Sequence, residues 1–174
     1  LLTPEFLTNL RDADEVNAAI SRNGAAASLN VVFEADTFTA GNEDIYFVQA
    51  EIQGGALAVT VPTQRLNTAW TSQQFDVDFT SIDADGPVIH VAWCDDRLGV
   101  TNDYFSMTSR VNGADWATVV EYQHTTLPSS SWASPRRPHA AVDLPNVYTF
   151  MEHSLNGQDD VWMDWSMDLG ITWV

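Results

Sequence analysis

The first residues able to do chemistry are in Trp93-Cys-Asp95-Asp96-Arg97, where two carboxylates stand beside a guanidinium. Such a group can hydrogen-bond sugar hydroxyls, or work as an acid with its orienting cation. It can equally be a loop ion pair that fixes a turn. The second group is Arg136-Arg137-Pro138, the only clustered positive charge in the chain. A guanidinium fork matches the two oxygens of a carboxylate. The competing reading is an exposed pair that neutralises neighbouring acids. The third is Trp132, in a Ser/Pro-rich stretch, whose ring face can stack on a sugar. Ligand-binding candidates are therefore Arg97, Arg136, Arg137 and Trp132, and Arg136, Asp95 and Asp96 are the catalytic candidates.

Other chemistries are poorly supplied. The four histidines, at 90, 124, 139 and 153, show no metal-ligand spacing. Asp83-Ala-Asp85-Gly86 resembles the start of a Ca²⁺ loop but lacks the remaining ligands and the bidentate glutamate. The expectation is no cofactor, with Ca²⁺ as the one alternative. Cys94 is the single cysteine, so the chain has no internal disulfide, and its apolar surroundings make it a core thiol.

The elements that must position these groups follow a repeat. Ser166-Met-Asp168-Leu-Gly170-Ile-Thr-Trp173 reads S-x-D-x-G-x-T-W. A carboxylate in such a turn can accept backbone N–H bonds, glycine supplies a positive φ, and the indole packs beneath. Asp103, Ser109, Gly113 and Trp116 fall under Asp160, Ser166, Gly170 and Trp173 at an offset of 57, with Val111 where the Asp should be. Asp44 and Gly54 continue the frame at 59, with Ala50, Ile52 and Leu57 in place of Ser, Asp and Trp. Upstream apolar runs recur too: Asn30-Val-Val-Phe aligns with Ile89 onward at 59, and Val147-Tyr-Thr-Phe-Met aligns after a one-residue deletion. A fixed period of this content marks a repeat fold.

The octet resembles the Asp box of sialidase-like BNR-repeat β-propellers. The resemblance implies that Ser166, Asp168, Gly170, Trp173, Ser109, Gly113 and Trp116 are structural, on outer turns away from a central pocket. It also implies what a sialidase-type site requires: three convergent arginines, a tyrosine nucleophile with a glutamate, and an aspartic acid. Arg136 resembles the R-x-P arginine of that site, although Arg137 and Pro135 depart from the usual pattern. Tyr46, Tyr104, Tyr122 and Tyr148 include no convincing nucleophile, since Glu121 and Tyr122 are strand neighbours that point to opposite faces.

The expected fold is all-β, in antiparallel four-stranded blades, as a partial sialidase-like propeller or one completed by oligomerisation. Three repeats are expected near 24–70, 71–122 and 136–174, after an N-terminal segment over 1–23 read as one or two short helices or as a remnant of a preceding blade. The N-cap Thr3, Pro4 at N1 and a partial 3.6-residue rhythm through Phe6, Leu7, Leu10, Val16 and Ile20 suggest the helical reading. Strands are expected near 29–35, 44–50, 56–61, 74–79, 88–94, 103–109, 115–122, 139–142, 146–152, 159–166 and 171–174. In 74–79, strict alternation should turn Phe75, Val77 and Phe79 inward.

Propellers close with four to eight blades. Three blades therefore imply a piece of a longer propeller, closure by self-association, or repeats packed as a non-propeller sandwich. No apolar run approaches a membrane span. The first residue is not Met and no signal peptide is visible, as expected of a mature or truncated product. With 24 acidic residues against 7 basic ones, all Arg, the net charge is −17. That argues against nucleic acid and anionic membranes as partners, since their phosphates need a basic footprint. The same surface fits a high-salt habitat. The expected function is a secreted or cell-surface, non-catalytic recognition or scaffold module, with a glycan as ligand. The alternatives are a fragment of a sialidase-like exo-glycosidase and a self-assembling structural subunit.

Overall fold

The structure, a computed structural model, describes residues 11–24, 26–36, 43–53, 56–67, 77–95, 103–124, 137–155 and 158–174. They form three antiparallel meanders. The first is β1 (Arg11–Asn23), β2 (Ala26–Asp36), β3 (Glu43–Gln53) and β4 (Ala56–Arg65), in that order. The second is β5 (Val77–Asp85), β6 (Val88–Asp95), β7 (Asp103–Ser109) and β8 (Tyr122–Gln123). The third is β9 (His139–Asp143), β10 (Asn146–Leu155) and β11 (Gln158–Ser166). Strand order equals chain order in each sheet, which is the wiring of a propeller blade.

The blades stack through their first strands. Asn17 Nδ2 of β1 donates to the Thr80 carbonyl of β5 at 2.8 Å. The Ala140 and Val142 N–H groups of β9 donate to Ser81 Oγ and Asp83 Oδ2 of β5 at 3.0 and 2.8 Å. Leu144 N–H reaches Asp85 Oδ2 at 3.5 Å. Asp83 and Asp85, the residues that suggested a Ca²⁺ loop, thus spend carboxylate oxygens on the next blade's backbone.

Apolar patterning explains the layers. All eight residues of β6 are buried, as a strand covered on both faces must be. Its Ile89, Val91 and Trp93 join Phe105 and Met107 of β7 against Val32, Ile45 and Phe47 of the first blade. Cys94 faces the other way, with Tyr104 and Met151. The first seam is broad and apolar, and the second is smaller, with polar groups beside it.

The N-terminal segment departs from expectation. Residues 11–23 are a strand, not a helix, and 1–10 lie outside the described residues. Asp14, Val16, Ala18 and Ile20 are exposed while their alternating neighbours are half-buried or buried. That two-residue period outweighs the interrupted 3.6-residue rhythm because Asn23-Gly24 turns the chain back and lets Asn17–Asn23 pair with β2. The first blade therefore begins at Arg11, not at residue 24. In the second blade, 115–122 is a 3-10 turn over Trp116–Thr118 followed by the two-residue β8. At 171–174 there is no strand, although Trp165 and Val174 exchange both backbone hydrogen bonds, at 3.1 and 2.9 Å. Val77 is buried as expected, but the alternation breaks at Phe79, whose φ is 60° beside a register shift. Phe75 lies outside the described residues.

The repeat register also differs by one residue. Asp44 and Asp103 are 59 apart, yet the residues they face, Ala35 and Asp95, are 60 apart. Asn30 therefore corresponds to His90, not to Ile89. One residue flips a strand's faces, so this decides which side chains meet the next blade.

Candidate functional site

The octet forms one closed hydrogen-bonded turn. Asp168 Oδ1 accepts from Ser166 Oγ at 2.7 Å, Thr172 N–H at 2.8 Å and Ile171 N–H at 3.1 Å. Its Oδ2 accepts the Thr172 hydroxyl at 2.7 Å. Ser166 Oγ also accepts Gly170 N–H at 2.8 Å. These donors, led by the Thr172 N–H, stabilise the charged form and hold the Asp168 carboxyl down at about 2. Its oxygens are occupied by the turn itself.

The second copy builds the same turn from a displaced carboxylate. Asn112 and Gly113 have φ of 56° and 76°, against 62° and 77° at Leu169 and Gly170. Gly113 N–H donates to Ser109 Oγ at 2.7 Å. Asn112 N–H reaches the Pro87 carbonyl at 2.8 Å, as Leu169 N–H reaches Pro145 at 3.2 Å. The carboxylate comes from Asp115, which accepts from Ser109 Oγ and, at 3.2 Å, from Arg110 N–H. Val111, at the expected Asp position, is exposed.

Each turn is pressed onto the blade before it. A Cβ at Gly113 would lie 2.8 Å from Phe47 Cε1, and the Trp116 ring meets Phe47 edge-on at 5.1 Å. A Cβ at Gly170 would lie 2.7 Å from Thr108 Cβ. The indole nitrogens of Trp116 and Trp173 are buried with no hydrogen-bond partner, so both rings act as apolar plugs. Ser166, Asp168, Gly170, Trp173, Ser109, Gly113 and Trp116 are therefore all engaged in turns and seams.

The inner strands begin at the opposite rim. Here Arg137 Nη2 donates to Glu15 Oε1 at 3.0 Å and its guanidinium lies 5.5 Å from the Phe79 ring centroid. Thr80 ties the strands together: its hydroxyl donates to the Glu15 carbonyl at 2.7 Å and its N–H to Glu34 Oε1 at 3.2 Å. Glu34 is buried. Glu15 and Phe79 have φ of 43° and 60°. Left-handed backbone at non-glycine residues is held only where surroundings over-determine it, and such outliers gather at binding sites. Neither Glu15 nor Phe79 in this role was legible in the sequence, because they are 64 residues apart and met only through β1–β5 packing.

The remaining sequence candidates divide. Asp95 ends β6 and is buried, opposite Val77 and Asp103. Arg137 sits at the rim and is 63% exposed. Asp96, Arg97, Trp132 and Arg136 lie outside the described residues. Among the described residues, no group of three or more His, Cys, Asp or Glu is placed to hold a metal ion, and no helix is long and apolar enough to cross a membrane.

A second polar constellation lies between blades two and three. His124 Nδ1 is 2.9 Å from Asp164 Oδ2, and Nε2 is 2.8 Å from Ser106 Oγ. A carboxylate only accepts, so Nδ1 carries the hydrogen and Nε2 accepts the serine proton. The order Ser-His-Asp is that of a nucleophilic relay, but Ser106 is 0% exposed and no substrate reaches it. His90 lies beside it, with Nδ1 3.0 Å from Thr108 Oγ1 and Nε2 2.8 Å from Thr149 Oγ1. Burial lowers both imidazoles, His90 to about 3. Sequence spacing missed this group because its members come from five strands or strand ends.

No protein-family model matches the chain, nor does any curated protein by sequence. Among solved structures, the chain is similar to a Bombyx mori GH32 beta-fructofuranosidase, at 13% identity and a TM-score of 0.49, over 98% of this chain and 37% of that one. It is also similar to a mutant of that enzyme in complex with sucrose, at 13% identity and a TM-score of 0.45, with the same coverage. The chain thus spans little more than a third of those enzymes' length.

Proposed function

We propose that this chain is a non-catalytic recognition or scaffold module, built on sialidase-like Asp-box repeats, that binds carbohydrate at the rim where β1, β5 and β9 begin. Its setting is extracellular or cell-surface, in high salt. The observation that carries the reading is the Arg137 guanidinium, paired with Glu15, lying over the Phe79 ring. An ion pair offers donors and acceptors to vicinal hydroxyls, and an aromatic face offers a platform for a sugar ring. Because Glu15 already holds the guanidinium, the site suits a neutral sugar better than an acid sugar. The Asp-box residues hold the rim by fixing blade against blade. Titration with neutral and acidic oligosaccharides by calorimetry tests this. Binding of a neutral glycan that is lost in Arg137→Ala with melting unchanged, and also lost in Phe79→Ala in the folded protein, supports it. Binding that ignores both substitutions overturns it.

The second reading is a fragment of a glycoside hydrolase, and a specific observation favours it. Thr80 donates its N–H to the Glu34 carboxylate and its hydroxyl to the Glu15 backbone carbonyl, which brings two glutamates to one point of the rim, and glycosidases work with paired carboxylates. Turnover of a sialoside or of sucrose that disappears in Glu34→Gln would move this reading ahead. The third is a self-assembling subunit. Val161, Trp162 and Met163 of β11 and Val16 and Ile20 of β1 are exposed apolar residues on outer blades. Concentration-dependent mass in light scattering, without any ligand, would favour it.

A further inference from the structure

We propose that the seam between blades two and three is an acid-operated latch, in which His90 and His124 hold blade three closed while neutral and release it when both become charged. The seam is organised around Trp173. Its indole lies 5.4 Å from the His90 ring, 5.2 Å from His124 and 5.2 Å from Tyr122. Three rings of blade two thus grip one side chain that belongs to the turn of blade three. Thr149 of β10 and Asp164 of β11 complete the grip from the blade-three side.

The two imidazoles have different surroundings. His124 faces Asp164 from β11, Tyr122 from β8, the Ser106 hydroxyl from β7 and the Trp173 ring. A proton on His124 gains a carboxylate partner in place. His90 faces the hydroxyls of Thr108 and Thr149, the Trp173 ring and the charge of His124, and its cross-strand neighbour on β5 is Asp83, whose Oδ2 is engaged by the Val142 N–H. A buried cation without a counter-ion is strongly disfavoured. A first proton on His124 has Asp164 as its partner, and the second puts a buried charge on His90, whose ring nitrogens meet only hydroxyls. Opening the seam hydrates both.

The sign follows from the direction of the shifts. Both imidazoles are lowered by burial, and His90 reaches about 3. The closed seam is fully stable above the ordinary histidine range near 6.5 and weakens as pH falls below it, because the open form takes up protons there more readily than the closed one. Each histidine contributes up to about tenfold per pH unit to the opening equilibrium until its closed-state value is reached. The first seam has no imidazole among its described residues: Val32, Phe47, Val91, Trp93 and Trp116 line it, and a buried carboxylate, Glu34, crosses it to accept the Thr80 N–H. Asp168 does not confound the measurement, since its carboxyl stays charged down to about 2.

Hydrogen exchange at constant ionic strength, from pH 7.5 to 4 and corrected for intrinsic rates, reads the latch blade by blade. The expected result is protection in β10 and β11 falling by about ten- to a hundredfold per pH unit below 6.5, while β2, β3 and β6 hold. His90→Gln keeps hydrogen-bonding capacity without the titration, and flattens that slope by about tenfold per unit. Should His90→Gln not fold, NMR titration of the native protein decides. Imidazoles that stay neutral below pH 5 in the closed state support the latch, and titration near 6.5 without loss of blade-three protection overturns it. Parallel loss across all three blades, or none, also overturns it.

Discussion

Gly170→Ala tests whether the turn of blade three is pressed onto blade two as described. Gly170 has a φ of 77°, and a Cβ there would lie 2.7 Å from Thr108 Cβ, a carbon on a neighbouring strand that cannot swing aside. Two effects add. The left-handed backbone costs an L-residue roughly 1–2 kcal/mol. Overpacking against Thr108 costs a further ~1–3 kcal/mol. The total is about 2–5 kcal/mol, a loss of very roughly 4–20 °C in melting temperature for a domain of this size. Gly24→Ala separates the two effects. Gly24 has a φ of 65° with nothing within 4 Å of the added Cβ, so only the backbone effect, ~1–2 kcal/mol, remains. Urea unfolding followed by circular dichroism gives both midpoints. Gly170→Ala should unfold at least ~1 kcal/mol more easily than Gly24→Ala. Equal losses would mean that the turn does not touch Thr108, and the seam described above would be wrong.

Three further outcomes are expected. Asp115→Ala removes the acceptor of the Ser109 hydroxyl and should destabilise the protein by ~1–3 kcal/mol in urea unfolding, whereas Val111→Ala at the exposed aligned position should change it by less than ~0.5 kcal/mol. The Asp168 carboxyl is held below its ordinary value of 3.8, so its contribution is present above that value and is lost as pH falls toward 2. Asp168→Asn should therefore show a shallower fall in melting temperature between pH 4 and 2 than the native protein. Phe47→Ala empties the place where Trp116 and Gly113 press on the first blade, and should cost ~3–5 kcal/mol by the same unfolding assay.

The architecture was legible because it is written in local chemistry. The S-x-D-x-G-x-T-W octet closes its own turn through bonds spanning two to four residues, so its geometry needs no distant partner. The doubly apolar β6 likewise reports burial on both faces, and burial alternates along β10 and the first half of β2. Where local signals competed, the sequence misled. Phe6 to Ile20 carried a broken helical rhythm, yet Arg11–Asn23 is a strand because β2 was available to pair with it. Val111 looked like the loss of the box carboxylate, while Asp115 supplies it from four residues on.

The candidate site was legible only in part. Arg137 could be named from its clustered charge, but not its partners, since Glu15 and Phe79 reach it from other blades. The same holds for His124 with Ser106 and Asp164, and for His90 with Thr108 and Thr149. The sequence alone determined the repeat, the turns and the acidic surface, because these depend on residues within a few positions or on composition. Only the tertiary structure decided which faces meet. A one-residue change of register reverses a strand's two faces, and the seam chemistry is set by contacts between strands tens of residues apart.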